Sequence, residues 1–400
     1  MSEPTGRDDG MPAASHAIAA PQASLRIAAS CLEGHSGRQS GLNMRNTNRW
    51  LLLAVGLITT LNTHQAIAAE MKRGALVTEH LVSSILRENR IGLDPNRSIK
   101  VYLPPGYAGS RKSYPVVYYF HNTSWNPEKM FQDGNLAKLL DRGFANRIVK
   151  EFIFVAADYS TPTTGSIYEN SPVSGRWLDF TTQELVPFID SRFRTERIRD
   201  SRAAVGDFFG GRGALKLGMT APEIFGVVYA LHPVATGTGE IPWPALQIDW
   251  KKIYQAKSFA DVGDDGRTQL FVTISQAFLP NLHRPPFYCD FFMELENGEP
   301  KLNVANTQRI KNGFLLDETL NESAANLRTL RGLAFDWGRF DVTQAHVYSN
   351  RVFSRKLEDL GVEHEAEEYR GGPWDRTWTD DGRFYTRVLP FLARRLLFKD

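Results

Sequence analysis

A short apolar run that breaks into glycines and then into good helix formers constrains this chain more than any other stretch. The run covers residues 203–217 and reads AAVGDFFGGRGALKL, which predicts a strand, a tight turn and a helix. Gly206 and Gly210 flank Phe208 with the spacing of a nucleophile elbow, in which small residues let the helix pack closely and project the central side chain from the end of a strand. The central side chain here is a phenyl ring, which cannot attack a carbonyl carbon.

Two other interpretations of this stretch are open. A glycine-rich strand-to-helix turn that was never an elbow fits the same residues, because such turns are common. A phosphate-binding loop fits less well, since the lysine and hydroxyl residue of a P-loop and the glycine order of a dinucleotide fingerprint are both missing. The neighbouring segments provide the evidence that distinguishes an elbow from an ordinary turn.

The composition predicts a globular protein with a large core. The 400 residues are 42% hydrophobic and carry a formal net charge of +2. We therefore expect one large domain over residues 69–400 and no strong electrostatic attraction to nucleic acid. The sequence contains no metal-binding motif with the usual spacing of His, Cys or Asp, and it predicts no cofactor.

The first 68 residues divide into two segments of different character. Residues 1–43 lack sustained periodicity, which predicts disorder or a translated region upstream of the true start. From Met44, arginines precede a short apolar run, and the tripeptide Ala-Ile-Ala at 66–68 is typical of a signal peptidase site, so we predict a signal peptide over 44–68. An N-terminal membrane anchor is the alternative, although the run is short for a bilayer span. We expect a periplasmic or secreted protein with no stable membrane span after cleavage.

Strands and helices alternate along the rest of the chain. Nearly continuous apolar runs at 114–120, 151–158 and 226–231 predict buried strands, and amphipathic segments between them predict helices. This alternation predicts an α/β fold with a mostly parallel central sheet and helices on both faces. In such sheets sites form at the carboxyl ends of the strands, where this chain places its candidate site residues. These strand ends carry His121 and Asn122, Asp158, the Phe208 turn, and His232.

The segment 236–330 differs from the rest in its many turn signals. An apolar run at 269–274 predicts one buried strand within it. We therefore expect this segment to add a strand to the sheet and to form a lid or insert over the site.

Four separated motifs resemble, in the right order, the putative esterase family of α/β hydrolases. They are YPVVYYFHN at 114–122, the stretch 202–233 around the elbow, GLAFDWGRFD at 332–341, and HEAEEYRGGPW at 364–374. The family includes enterochelin esterase, S-formylglutathione hydrolase, feruloyl esterase and mycolyltransferase relatives. The resemblance covers about 101–398 and implies an α/β-hydrolase fold.

The resemblance also implies where a catalytic triad would lie. The nucleophilic serine falls on Phe208, the acid on Asp341, and the histidine on Pro373. Serine hydrolysis needs a hydroxyl, an imidazole and a carboxylate, and only the carboxylate is present. We expect Asp341 to pair with a neighbour such as Arg339 or with a backbone N–H.

The resemblance further implies an oxyanion hole. One donor would be the backbone N–H of Phe209, and the other would come from the loop at His121 and Asn122. Replacement catalytic groups are weaker candidates. Asp207 would serve as nucleophile only if the turn shifted by one residue, and His232 is either a base for a bound water or a histidine hydrogen-bonded at a strand end.

Four tryptophans complete the candidate binding surface. Trp125, Trp177, Trp374 and Trp378 fall in segments predicted to lie above the sheet, where they would stack on a sugar or aromatic acyl ligand or fill the vacated cleft. The full set of predicted binding residues is His121, Asn122, Asp207, Phe208, Phe209, His232 and Trp374.

Two functions from different classes remain. The first is a non-catalytic protein that binds a small-molecule ester, sugar or aromatic acyl ligand, or a protein partner, in the esterase cleft. The second is a carboxylic ester hydrolase that uses a non-standard nucleophile or an activated water. The first is favoured because both proton-transfer partners of the triad are replaced together, at Phe208 and Pro373.

Overall fold

The computed structural model describes residues 72–133, 135–237, 248–263, 265–374 and 377–399. The predicted upstream region and signal peptide lie outside these residues. Within the described ranges, no helix is long and apolar enough to cross a membrane.

The described elements alternate between strands and helices, as the sequence predicts. The strands are β1 Ala75–Val82, β2 Asn96–Leu103, β3 Val116–Phe120, β4 Ile153–Ala157, β5 Asn170–Ser171, β6 Gly175–Arg176, β7 Arg202–Asp207, β8 Val227–Leu231, β9 Met293–Glu296, β10 Glu299–Leu302, β11 Gly332–Gly338 and β12 Glu365–Tyr369. The helices are α1 Pro127–Gln132, α2 Leu136–Ala145, α3 (Trp177–Asp179, a π-helical stretch Phe180–Leu185, and Val186–Arg192), α4 Phe209–Thr220, α5 Trp250–Gln255, α6 Gly266–Phe278, α7 Val304–Phe314, α8 Leu320–Arg328, α9 Gln344–Asp359, and α10 (a π-helical stretch Phe384–Val388 and Leu389–Arg395). Short 3-10 turns lie at Leu86–Glu88, Tyr107–Gly109, Arg199–Ser201, Phe259–Val262 and Leu316–Thr319.

The described residues form a central sheet of eight strands in the order β1-β2-β4-β3-β7-β8-β11-β12. The first two pairings of this order are antiparallel and the rest are parallel. Parallel strands joined by helices are covered on both faces, which is why every residue of β3, β4 and β8 is buried. The predicted α/β-hydrolase fold is therefore confirmed.

Alternate side chains of β3 enter hydrophobic cores on opposite faces of the sheet. Val117 and Tyr119 pack in a core with residues of α2 and α10. Val116, Tyr118 and Phe120 belong to the core that contains residues of α3, α4, α8 and α9. The period of two along the strand thus places one helix layer on each face.

The segment 236–330 contains the main error of the sequence-based prediction. The apolar run 269–274 is not a strand but part of α6, which begins after Asp265, whose side chain accepts a hydrogen bond from the backbone N–H of Arg267. Periodicity alone does not separate a short buried strand from a buried helix. In its described part, the segment pairs β9 with β10 as a separate antiparallel hairpin and adds no strand to the central sheet.

The two glycines of the elbow allow α4 to approach the sheet closely. A Cβ atom on Gly210 would lie 1.8 Å from the carbonyl oxygen of Phe120, and one on Gly206 would lie 2.3 Å from the carbonyl oxygen of Gly210. Both contacts are with backbone, so no side chain can move to relieve them. This close approach fixes the turn between β7 and α4.

Candidate functional site

Phe208 forms the turn between β7 and α4 by itself. β7 ends at Asp207 and α4 begins at Phe209, and between them the backbone of Phe208 has φ 55° and ψ −112°. This conformation is rare for a residue with a bulky side chain. It is held by a hydrogen bond of 3.0 Å from the Phe208 N–H to the carbonyl of Leu231. The strained turn of a nucleophile elbow is thus present with a phenyl ring at its tip.

The neighbouring Phe209 ring, at a centroid distance of 5.5 Å, and three other rings surround the Phe208 side chain. Its centroid lies 4.8 Å from that of Trp374, 5.3 Å from that of His346 and 6.1 Å from that of His232. The His232 ring is nearly parallel to it, at 14°. Two imidazoles therefore lie beside the position that the resemblance assigns to the nucleophile, although Pro373 supplies neither.

Asp341 connects these two imidazoles. Its Oδ2 lies 2.8 Å from His232 Nε2 and 2.7 Å from His346 Nδ1, and its Oδ1 accepts a 2.8 Å hydrogen bond from the Thr343 N–H. Burial would raise the pKa of Asp341, but the hydrogen bonds from the two histidines outweigh it and hold that pKa well below its usual value. Of the two expected kinds of partner, the backbone N–H is present in Thr343, whereas Arg339 is not a partner because its guanidinium bonds Glu368 at 2.6 Å.

Both ring nitrogens of His232 are engaged. The Gly338 N–H donates to Nδ1 at 2.8 Å, so the proton of the neutral ring lies on Nε2, which donates to Asp341. Burial lowers the pKa of His232, which keeps the ring neutral at neutral pH. With its basic nitrogen occupied and its other nitrogen protonated, His232 is hydrogen-bonded at the strand end and is not placed to activate a water.

The same tautomer argues against a metal ion. Ligand atoms of His232, Asp341 and His346 lie within 4.8 Å of one another, as in a site with two histidines and one carboxylate. Coordination through His232 Nε2 would require the proton to move to Nδ1, which faces the N–H of Gly338. Two donors would then point at each other, so this set of side chains does not fit a metal.

His346 is the site residue that the sequence analysis missed. It lies in the first turn of α9, which begins at Gln344. That turn starts three residues after Asp341, so a side chain near its start can reach back to the preceding loop. The position of His346, five residues after Asp341, was the signal available in the sequence.

Asp207 does not have the environment of a nucleophile. Its Oδ1 accepts a hydrogen bond from the Tyr119 hydroxyl at 2.9 Å, and its Oδ2 accepts one from Asn122 Nδ2 at 2.7 Å. Burial raises the pKa of Asp207 to about 6, although these hydrogen bonds oppose the shift. The carboxylate is therefore costly to ionise and engaged on both oxygens.

His121 is part of the structural support beneath the site. Its Nε2 accepts a hydrogen bond from the Tyr159 N–H at 3.0 Å, which leaves Nδ1 to donate to the Asn122 carbonyl at 2.8 Å. Burial lowers the pKa of this imidazole. Of the two residues in this loop, Asn122 rather than His121 reaches a cavity wall.

A cavity of about 520 Å³, here called the Phe208 cavity, opens on one side of the elbow. Helix α6 supplies one side of its wall and α7 adds Phe314, so the segment 236–330 covers this part of the site. Arg267 is a cationic residue in this wall. Its apolar wall residues are Phe208, Phe209, Val234, Leu270, Phe271, Ile274, Phe314, Val342 and Ala345.

A second cavity of about 250 Å³, here called the tryptophan cavity, lies on the side of Trp374. Its wall consists of Asn122, Ser124, Trp125, Asp207, Trp374, Thr377 and Trp378. The fourth tryptophan of the predicted set is elsewhere: Trp177 is only 1% exposed, and its Nε1 donates to the Ser174 carbonyl at 3.0 Å within the core. Trp177 is therefore a packing residue, which corrects its predicted place above the sheet.

The raised pKa of Asp207 predicts a pH dependence of stability. Between about pH 4 and 6 the folded state binds a proton here that the unfolded chain has released, so the free energy of unfolding falls as pH rises through 6. The loss is on the order of 2 to 3 kcal/mol. We expect Asp207→Asn to remove this slope, as measured by urea unfolding at pH 4.5, 6 and 7.5. An unchanged pH profile in the variant would contradict the assignment.

Comparisons with known proteins agree with this geometry. A family model described as "Putative esterase" matches residues 92–285. An esterase from two strains of Mycobacterium tuberculosis is 32% identical over 280 residues, which is 69% of this chain and 52% of that protein. The chain thus spans about half the length of these curated relatives.

Solved structures show the same fold. A ferulic acid esterase superposes with a TM-score of 0.57 at 20% identity, over 80% of this chain and 98% of that one. An S-formylglutathione hydrolase from Agrobacterium tumefaciens gives a TM-score of 0.51 at 15% identity, over 82% and 97%. The fold and the elbow define an α/β hydrolase. Within that class the chain is esterase-like, because it is similar to the esterase family whose model matches residues 92–285.

Proposed function

We propose that this esterase-like protein binds a small acyl or aromatic ligand in its cleft and does not hydrolyse esters by the serine mechanism. The observation that carries the proposal is the ring of Phe208 at the tip of the strained elbow, packed against an indole and two imidazoles. An enzyme of this mechanism needs a hydroxyl at that point. Loss of triad members in a serine protease lowers kcat by about 10⁶-fold.

The space beside the ring supports a binding role. The Phe208 cavity has a volume of about 520 Å³, within the range of roughly 300 to 1,000 Å³ that is usual for small-molecule sites. Its walls are mainly apolar, with a few polar groups such as Thr343 and Arg267. We further propose that the protein is exported to the periplasm or the medium, which the signal-like sequence at 44–68 supports.

The catalytic part of the proposal is tested with the purified protein. We expect background hydrolysis of p-nitrophenyl acetate and of a feruloyl ester, and no covalent labelling by a fluorophosphonate probe, because Phe208 offers no nucleophile. His346→Ala is the matched control and is expected to give the same background rate. Fluorophosphonate labelling, or turnover that falls in His346→Ala, would overturn the proposal in favour of a hydrolase with another nucleophile or an activated water.

The binding part is tested by thermal unfolding with cinnamate as an aromatic acid probe. Ligand at 100 times its Kd stabilises the folded state by about 2.7 kcal/mol, so we expect a clear rise in Tm. Leu270→Trp, which places a large ring in the wall of the Phe208 cavity, should remove that rise. Leu282→Trp, at a position that is 48% exposed and outside this cavity, should keep it. An equal response in the two variants would count against binding in this cavity.

A further inference from the structure

The tryptophan cavity brings three indole rings together. The centroids of Trp125 and Trp378 lie 6.4 Å apart, and Trp378 lies 5.3 Å from the ring of Tyr119. Trp374 is 52% exposed and contacts Phe208. Indole is the aromatic side chain that attracts cations best, and desolvation strengthens the attraction. The wall is therefore suited to a large, weakly hydrated cation.

The same wall contains a buried carboxylate that has no counter-ion within the described part of the chain. Asp207 is 5% exposed, and no lysine or arginine of the described residues lies within ion-pair distance of it. Asp336, which is buried to a similar degree, has Arg383 at 2.8 Å. Buried charges are normally paired, because an isolated ion loses its hydration without compensation. Among the residues that the structure describes, Asp207 therefore has no cation to match its burial.

We propose that the tryptophan cavity binds the substituted ammonium group of a small organic cation, with Asp207 as its counter-ion. The inference rests on the proposed function, since it names the ligand class for the second half of the same cleft. Tetrahedral ammonium groups with apolar substituents combine a positive charge with a surface that packs on indole rings. The cation would supply to Asp207 the charge that its neighbours Tyr119 and Asn122 do not carry.

Other occupants match the wall less well. A small metal ion requires several oxygen ligands, whereas the carboxylate oxygens of Asp207 already accept hydrogen bonds from Tyr119 and Asn122. The side-chain oxygen of Asn122 also accepts a hydrogen bond, from the Ser124 N–H at 2.8 Å. A neutral sugar would stack on the tryptophans but would leave the carboxylate without a charge partner.

Asp207 sets the expected pH dependence of binding. The titratable groups around it are Tyr119 on β3 and Tyr168, and burial raises the pKa of both hydroxyls well above their usual value, so both stay neutral. Burial lowers the pKa of His121, behind Asn122, which keeps that ring neutral at pH 7. Asp336, which also acts electrostatically on Tyr119, is paired with Arg383. The cation should therefore bind when Asp207 is ionised.

The experiment compares choline with its neutral isostere 3,3-dimethylbutanol by isothermal titration calorimetry on the purified protein. We expect choline to bind at least tenfold more tightly than the isostere at pH 7. From pH 7 to pH 5 the affinity for choline should fall about tenfold, because a group with a pKa of about 6 passes from mostly ionised to mostly protonated. Asp207→Asn should lose at least tenfold in affinity and should show no such pH dependence.

A second pair of variants keeps the test informative if Asp207→Asn folds poorly. Trp374→Leu removes a half-exposed ring from the cavity and should weaken choline binding several-fold. Tyr348→Leu removes a similarly exposed ring on α9, outside the cavity, and should change nothing. Equal affinities for choline and the isostere, or no binding of choline, would overturn the inference. Cinnamate binding in the Phe208 cavity is measured separately, so the proposed function can survive that result.

Discussion

Replacing Phe208 by serine should create a covalently reactive nucleophile at the elbow. The backbone at this position already has the strained conformation of the motif, with φ 55° and ψ −112°. The His346 ring lies 5.3 Å from the ring that is removed, and its Nδ1 bonds Asp341, so the imidazole is already oriented by a carboxylate. A positioned base contributes about 10²- to 10⁴-fold to such reactions. We expect a gain of that size in p-nitrophenyl acetate hydrolysis, together with fluorophosphonate labelling.

Three variants separate the contributions to this gain. Phe208→Ala opens the same space without a hydroxyl and should remain at background. Adding His346→Ala to Phe208→Ser should remove most of the gain, because His232 has both nitrogens engaged and cannot replace it. Adding Pro373→His tests whether the position implied by the family resemblance supplies a better base. If folded Phe208→Ser protein is no more reactive than Phe208→Ala, the assignment of the elbow is contradicted.

Removing Arg212 should have the largest effect on stability. This side chain on α4 has no exposed surface, and its guanidinium bonds Glu169 at 2.8 Å. It also donates to three backbone carbonyls, at 2.9 to 3.1 Å, which belong to Ile167, Gly313 and Phe314. Arg212→Met keeps much of the packing but removes the donor from these carbonyls and leaves Glu169 with only the more distant Lys216 ammonium, at 3.5 Å. We expect a loss of about 3 to 5 kcal/mol in the free energy of unfolding, measured with urea.

An exposed arginine provides the control for this measurement. Arg176 pairs with Asp179 on the surface, and such pairs contribute at most about 1 kcal/mol. Arg176→Met should therefore unfold almost as the parent does. A loss in Arg212→Met no larger than in this control would show that the buried guanidinium is not needed to hold the end of α7 against α4.

The central sheet could be predicted from the sequence because its signals are local. Five-residue apolar runs such as 116–120 and the glycine pattern around Phe208 define strands and the elbow without reference to distant residues. The run 269–274 was misassigned for the same reason: it is short, apolar and buried, and the capping by Asp265 that makes it helical lies just outside it. Local sequence patterns therefore predict an element correctly where its apolar content and its capping residues indicate the same structure.

The pairing of side chains at the site could not be predicted in the same way. Asp341 meets His232 across 109 residues of sequence, and the Gly338 N–H fixes the tautomer of that ring. Arg339, the nearest cation in the sequence, pairs with Glu368 on the adjacent strand instead. These partners depend on strand order, which places β8 and β12 on either side of β11.

The contact between Phe208 and Trp374 stands between two separate spaces, since one ring lines each cavity. If both proposed sites bind, two short molecules should occupy the two cavities at once, each with its own dissociation constant. A single longer molecule would reach both only by separating the rings, and the half-exposed indole would turn more readily than a phenyl group fixed by its backbone. A molecule that links two weak binders should therefore have a binding free energy less favourable than the sum for its two halves. The difference is the cost of separating Phe208 from Trp374.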